Sequence, residues 1–163
     1  MLRIPMKVRL QSSPAPEHPL KRPFQTEDLP ALADLMFAAY QGTTDFQPGS
    51  TLEDALEQIE KTIQGEYGQF LPQASFVLDD DGLLISATLI TFWKPFQAPL
   101  LAFTMTAPEF KGQGLAALLL KASMNRLYHE GYNQLSLLVT DGNTPAQRLY
   151  QRLGFKTFEP AEP

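Results

Sequence analysis

The sequence predicts a mixed α/β protein whose antiparallel first half passes into a parallel crossover. Three observations carry that prediction. The middle third alternates extended apolar runs with Asp-Gly and Pro turns, amphipathic segments of helical spacing stand on both sides of it, and a glycine-bearing turn leads from the last extended run into a long helix.

The chain has 163 residues, 44% of them apolar and 19% charged, enough for one domain with a substantial core. Thirteen Lys and Arg stand against 18 Asp and Glu, a formal charge of −5, so no nucleic-acid partner is expected. The absence of Cys excludes a disulfide framework, a thiolate metal site and a cysteine acyl-enzyme. With His18 and His129 as the only histidines, no metal site is expected. The longest apolar run, Leu83 to Trp93, is broken by Ser86, Thr88 and Thr91 and falls short of the roughly 20 residues of a spanning helix, so no membrane partner is expected. Met1 to Leu10 is basic but lacks an apolar core and a cleavage site, which leaves a cytoplasmic location as the default expectation.

Residues 1–18 contain one alternating piece, Lys7-Val8-Arg9-Leu10, and then Ser12-Ser13-Pro14-Ala15-Pro16, which suits neither a helix nor a central strand. They read as an N-terminal appendage whose one structured option is an extra edge strand, with residues 19–163 as a single domain. Leu20 to Phe24 is a short strand. Thr26 caps a helix carrying Leu29, Leu32, Leu35 and Met36, with Glu27 and Asp28 at the positive end of its dipole, and Gly42 ends it. After the polar loop from Tyr40 to Ser50, a second helix runs from Thr51 to about Gln64 with Leu52, Leu56, Ile59 and Ile63 on one stripe. Ser75 to Leu78, Leu83 to Trp93 and Leu100 to Thr106 form a meander joined at Asp81-Gly82 and Pro95-Phe96. A helix then continues from the glycine turn to Glu130, followed by a strand from Leu135 to Val139, a helix from Pro145 to Leu153 and an extended piece from Gly154 to Phe158.

Chemistry concentrates in Pro108-Glu109-Phe110-Lys111-Gly112-Gln113-Gly114-Leu115-Ala116-Ala117. Small residues between a strand and a helix let the backbone approach an anion, and the first amides of the helix point outward with its dipole behind them. Lys111 stands where it can add a formal charge. A tight turn with no ligand is the plain alternative. Gly112-x-Gly114-x-x-Ala117 also fits a dinucleotide fingerprint, with Asp141 at the end of the next strand. Only 46 residues follow Ala117, too few for the further strand-helix units of that fold.

Taken with Asn143-Thr144-Pro145-Ala146-Gln147-Arg148-Leu149-Tyr150-Gln151-Arg152-Leu153-Gly154-Phe155, the glycine loop resembles the GNAT superfamily of N-acetyltransferases. The loop is similar to that family's Arg/Gln-x-x-Gly-x-Gly/Ala signature for acetyl-CoA. The later segment is similar to its Asn-x-x-Ala-x-x-Leu-Tyr-x-x-x-Gly-Phe signature. The resemblance is clearest from Leu100 to Phe155, and it implies a GNAT-like, mostly antiparallel sheet with helices on both faces.

The resemblance further implies acetyl-CoA as donor and direct transfer to a primary amine in a ternary complex. It places Thr104, Met105 and Thr106 on the strand whose backbone pairs with the pantetheine arm. Lys111 and Gly112, Gln113, Gly114, Leu115, Ala116 and Ala117 become the pyrophosphate loop, Asn143 a cofactor contact, and Tyr150 the acid that protonates the departing thiolate. On spacing alone, Tyr150 also reads as a core aromatic beside Leu149 and Leu153. Lys111 replaces the family's Arg or Gln, a point charge in place of a bidentate contact. Where members carry a basic Glu, this chain has Leu100 and Leu138, so the general base is unassigned and a water chain or Asp45 is left to accept the amine's proton. The closing hairpin of the family is short here, and Met6 to Leu10 is expected to pair near that edge. The acceptor, a small-molecule or peptide amine, is expected between Tyr40, Asp45 and Trp93, although each of the two aromatics also suits core or hairpin packing and Asp45 a solvated loop. A homodimer is compatible with the family. A catalytically silent acyl-CoA-binding or regulatory module and a purely structural partner-binding domain are the competing functions.

Overall fold

A computed structural model describes residues 2–14 and 16–160. Met1 and Ala15 of the expected appendage, and residues 161–163, lie outside the described residues. Among the described residues, eight strands form one sheet: β1 (Arg3–Arg9), β2 (Lys21–Pro23), β3 (Gln69–Phe70), β4 (Phe76–Asp80), β5 (Leu83–Trp93), β6 (Ala98–Thr106), β7 (Gln134–Thr140) and β8 (Lys156–Thr157). Their order is β2-β4-β5-β6-β7-β1-β8, with β3 added to β5. Every pairing is antiparallel except that of β6 with β7.

Four helices cover the sheet: α1 (Leu29–Tyr40), α2 (Leu52–Ile63), α3 (Leu115–His129) and α4 (Thr144–Arg152). Strand alternation assigns their sides. Val77, Ala87, Leu89 and Met105 pack with Leu32, Leu35 and Met36 of α1 and Ile59 of α2. On the opposite face Ile90, Leu101, Leu135, Leu137 and Val139 pack with Leu120 and Leu127 of α3 and with Tyr150 and Phe155 at α4. The sheet therefore carries α1 and α2 on one face and α3 and α4 on the other.

Local signals set the ends of these elements. Thr51 caps α2, its hydroxyl accepting from the Asp54 amide at 3.2 Å while the Asp54 carboxylate accepts from the Thr51 amide at 2.8 Å. Thr26 does not cap α1. Thr26–Asp28 is a separate 3-10 turn, and α1 begins after Asp28 with a proline in its first turn, where fixed φ favours the helix and the missing N–H costs nothing. The Asp28 carboxylate is instead held by Arg22, which also bridges to Asp79 and so ties β2, α1 and the β4–β5 turn together.

At the N-terminus the expected pairing of Met6 to Leu10 near the closing edge is present at Met6 and Lys7, but the strand is longer than expected, starting at Arg3, and is not a loose appendage. It pairs along its whole length with β7 and, at Met6 and Lys7, with β8, so it lies inside the sheet. Ile4, Met6 and Val8 face the α3/α4 core, and Met6 is 2% exposed. Pro5 is tolerated because its position faces past the end of β8, where its carbonyl accepts from Phe158 at 3.1 Å and no amide is required. β3 is absent from the sequence reading. There Gly68 lets the chain cross β5 closely, since a Cβ would stand 2.1 Å from the Phe92 carbonyl oxygen.

Candidate active site

Two edges of β6 behave differently. Toward β5 it is paired from Ala98 to Thr106, with a bulge that leaves Ala102 extra. Toward β7 the register covers only Leu100↔Ser136 and Leu101↔Leu137, after which the strands part. The Ala107 amide donates to the Ile85 carbonyl at 2.9 Å, so alternation turns the peptide groups of Met105 toward β5 and those of Thr104 and Thr106 toward the gap. Backbone donors and acceptors at Thr104 and Thr106 thus face a space with no strand partner. Their side chains are otherwise engaged: Thr106 Oγ1 lies 2.9 Å from Ser86 Oγ, Thr104 Oγ1 is sealed without a partner, and the Met105 side chain is core.

At the end of that gap β6 runs through a short turn, Pro108–Phe110, into the glycine loop. Gly112 and Gly114 have φ of +81° and +79°, and a Cβ on either would meet nothing within 4 Å, so the left-handed conformation, and not crowding, selects glycine. Gly114 caps α3 with no side-chain hydrogen bond. Leu118 donates to the Gly114 carbonyl, whereas the amides of Leu115, Ala116 and Ala117 have no partner among the described residues. A helix start of this kind has the donors and dipole for an anion. Gln113 is exposed in the same loop. Lys111 departs from its expected place, because its ammonium donates at 2.7 Å to the Ala39 carbonyl in the last turn of α1.

The other wall comes from α4 and the α1–α2 loop. Asn143 caps α4, accepting from the Ala146 amide at 3.4 Å, and its Nδ2 donates to Asp45 Oδ2 at 3.4 Å. Asp45 Oδ1 accepts from Thr140 Oγ1 at 2.7 Å. Seven residues after Asn143, Tyr150 is 6% exposed with its ring centroid 5.8 Å from that of Phe155. Its hydroxyl has no hydrogen bond among the described residues and is absent from the sealed polar atoms, so it reaches solvent. The ring is core and the oxygen is free, which joins the two sequence readings of this residue. Burial first, and the charge of Asp45 second, push its phenol well above the ordinary tyrosine range. Tyr40, half-buried at the end of α1, is pushed up as well, by burial and then by Tyr150 and Asp45, with Arg3 opposing.

The structure therefore brings together Tyr40, Asp45, Asn143 and Tyr150 beside the gap. Trp93 is not among them. It pairs with Ala98 at the hairpin end, four positions before the Ala102 bulge and so about 13 Å away along β6. Leu100 and Leu138 alternate to the α1/α2 face of the sheet, buried and half-buried, and supply no base. Sequence reasoning missed Thr140, 95 residues from its partner Asp45, and the Ala39 carbonyl. Neither carries a local signal, because only the fold makes them neighbours. Among the described residues, no helix is long and apolar enough to cross a membrane.

Comparison with known proteins agrees with this architecture. A Mycothiol acetyltransferase of Corynebacterium aurimucosum is 38% identical over 53 residues, 32% of this chain and 17% of that protein. The N-alpha-acetyltransferase 30 of Schizosaccharomyces pombe is 27% identical over 119 residues, 64% of this chain and 77% of that protein. In three dimensions, a GCN5-related N-acetyltransferase from Sphaerobacter thermophilus superposes with a TM-score of 0.72 at 23% identity, over 96% of this chain and 48% of the other. A GNAT family acetyltransferase from Brucella melitensis, solved in complex with acetyl-CoA, gives 0.62 at 18% identity over 88% and 90%. The chain thus spans under a fifth of the first relative and about half of the first structure. A family model described as Acetyltransferase (GNAT) family matches residues 31–155, which takes in the gap, the glycine loop and α4, and the chain belongs to that family.

Proposed function

We propose that the protein is an acetyl-CoA-dependent N-acetyltransferase acting on a primary amine, with donor and acceptor present together. What supports this reading is the combination of unpartnered amides at Leu115–Ala117, an unbonded Tyr150 hydroxyl, and a β6 edge that leaves β7 after Leu101. The residues fit the donor: the glycine loop is open, the adjoining amides are free, and the peptide groups of Thr104 and Thr106 have no strand partner. Acetyl-CoA, when bound, supplies an acetyl group activated as a thioester.

Each role then follows from the chain. Amides at the start of α3 hold the pyrophosphate, and Thr104 and Thr106 hold the arm through backbone hydrogen bonds. The same strand donates an N–H at the acyl end, in a fixed orientation that needs no reorganisation. Tyr150, held protonated by burial, donates its proton to the leaving sulfur, and the proton that the amine gives up on becoming an amide passes through water to restore the phenol. An amine reaches the gap from the α1/α2 side, past Tyr40 and Asp45. Tyr40 is likewise held protonated and serves as a hydrogen-bond donor there, not as a base. The absence of Cys is consistent with direct attack on the donor.

Release of free CoA from acetyl-CoA, followed with a panel of amines (spermidine, lysine methyl ester and an alanyl tripeptide), tests this reading. Turnover is expected to fall by about a hundredfold or more in Tyr150→Phe, with CoA affinity within about twofold of the parent. Tight CoA binding without turnover on any amine overturns the enzyme in favour of a silent binding module, and no CoA binding at all overturns both.

A further inference from the structure

Lys111 sits in the glycine loop, yet its charge points away from it. Its Nζ donates at 2.7 Å to the Ala39 carbonyl, one of the carbonyls that the end of α1 leaves without a helical partner. A cation there also meets the negative end of the helix dipole. To reach an anion at Gly112–Ala117 it would have to abandon both interactions. At the other side of the same loop, Asp45 accepts from Thr140 Oγ1 at 2.7 Å and from Asn143 Nδ2 at 3.4 Å.

Apart from Thr51, which caps α2, the other hydrogen bonds of the segment are local. The Thr43 amide and hydroxyl go to the Tyr40 carbonyl, Phe46 to Thr43, and Ser50 to Gln47. None of these local turns attaches the segment to the body of the protein. Between α1 and the Thr51 cap, the attachments to the rest of the fold are Lys111, which holds the α1 carbonyl of Ala39 just before the segment, and Asp45 in its middle. Lys111 immediately precedes Gly112, and Asn143 caps α4, so both attachments end on the two turns that flank the gap. Tyr40 lies one residue beyond the first of them.

We propose that Lys111 and Asp45 are positioning residues that fix the Tyr40–Thr51 segment as the acceptor wall, and that Lys111 is not a phosphate contact. The term acceptor wall rests on the function proposed above. The attachment itself does not, which lets the two fail separately. Hydrogen exchange of the backbone amides of residues 42–50 is measured in the full chain, together with calorimetric CoA titration and, for spermidine, KM and kcat. Lys111→Met and Thr140→Val are each expected to speed exchange in that segment about tenfold, and Lys111→Arg, which keeps a donor, to restore it. CoA affinity stays within about twofold throughout, and KM for the amine rises several-fold more than kcat falls. A Lys111→Met protein that binds CoA tenfold more weakly while residues 42–50 exchange at the parental rate overturns the proposal. If the segment loosens as expected but no amine turns over in the parent, the attachment stands and the acetyltransferase reading fails. If the parent turns over and the segment is indifferent to both substitutions, the reverse holds.

Discussion

The two edges of β6 invite comparison because the strand is the same and its surroundings are opposite. Along β5 its register runs through eight residue pairs, and along β7 through two. The paired edge runs beside Leu89, which is fully buried in the α1/α2 core. The open edge leaves peptide groups at Thr104 and Thr106 without strand partners, at the mouth of a helix whose first amides are also free. A buried peptide group without a partner is costly, so a fold keeps such an edge open only beside solvent or a ligand. The difference teaches that stability and binding are divided between the sides of a single strand, and substitutions on the two sides should separate them.

The largest expected effect is on the paired side. Leu89→Ala removes a fully buried side chain over which α1 packs, and a loss of about 2–5 kcal/mol, the usual cost of such a truncation, should appear in urea unfolding. CoA affinity, measured below the transition, should be unchanged. If it falls in proportion, the two sides are not independent. Next in size is Gly114→Val at the open side. A β-branched residue at φ +79° costs about 1–2 kcal/mol of backbone strain and shifts the amides that follow, so CoA binding should weaken about tenfold by calorimetry. Unchanged affinity would remove the helix start from the site. The smallest effect belongs to Asp79, two strands away from β6 on the paired side. Its carboxyl lies below the ordinary range, first because the Gly82 amide donates to it and then because Arg22 does. A depressed pKa contributes stability above the unfolded value, about 3.9, that is lost as pH falls through the folded value. Asp79→Asn should therefore lower stability modestly at neutral pH and flatten the acid limb below about pH 4, with no change in turnover.

Much of the site was legible in the sequence. Gly112 and Gly114 read as a turn into a helix because only glycine takes their left-handed backbone at no cost, and that requirement is local. Asn143 and Tyr150 fell near one helical face by arithmetic. Lys111 was legible as a charge beside the loop but not in its direction, because the carbonyl that attracts it belongs to a helix 72 residues earlier. Trp93 was placed in the acceptor pocket by residue type, and the hairpin carries it away from the Ala102 bulge. The N-terminal strand was legible only in part, as a pairing of Met6 to Leu10 near the closing edge. Its apolar set, Ile4, Met6 and Val8, is short and interleaved with Arg3, Pro5, Lys7 and Arg9, so its alternation acquires meaning only once it pairs with the edge of β7.

Periodicity, capping and turn chemistry are properties of a few neighbouring residues, and by themselves they determined the four helices, the meander and the glycine loop of this chain. Which strand fills the place beside β7, where β6 and β7 part, and which carbonyl Lys111 finds were decided only by the tertiary structure. Those outcomes depend on free energies shared between segments tens of residues apart, and no window of sequence contains both partners.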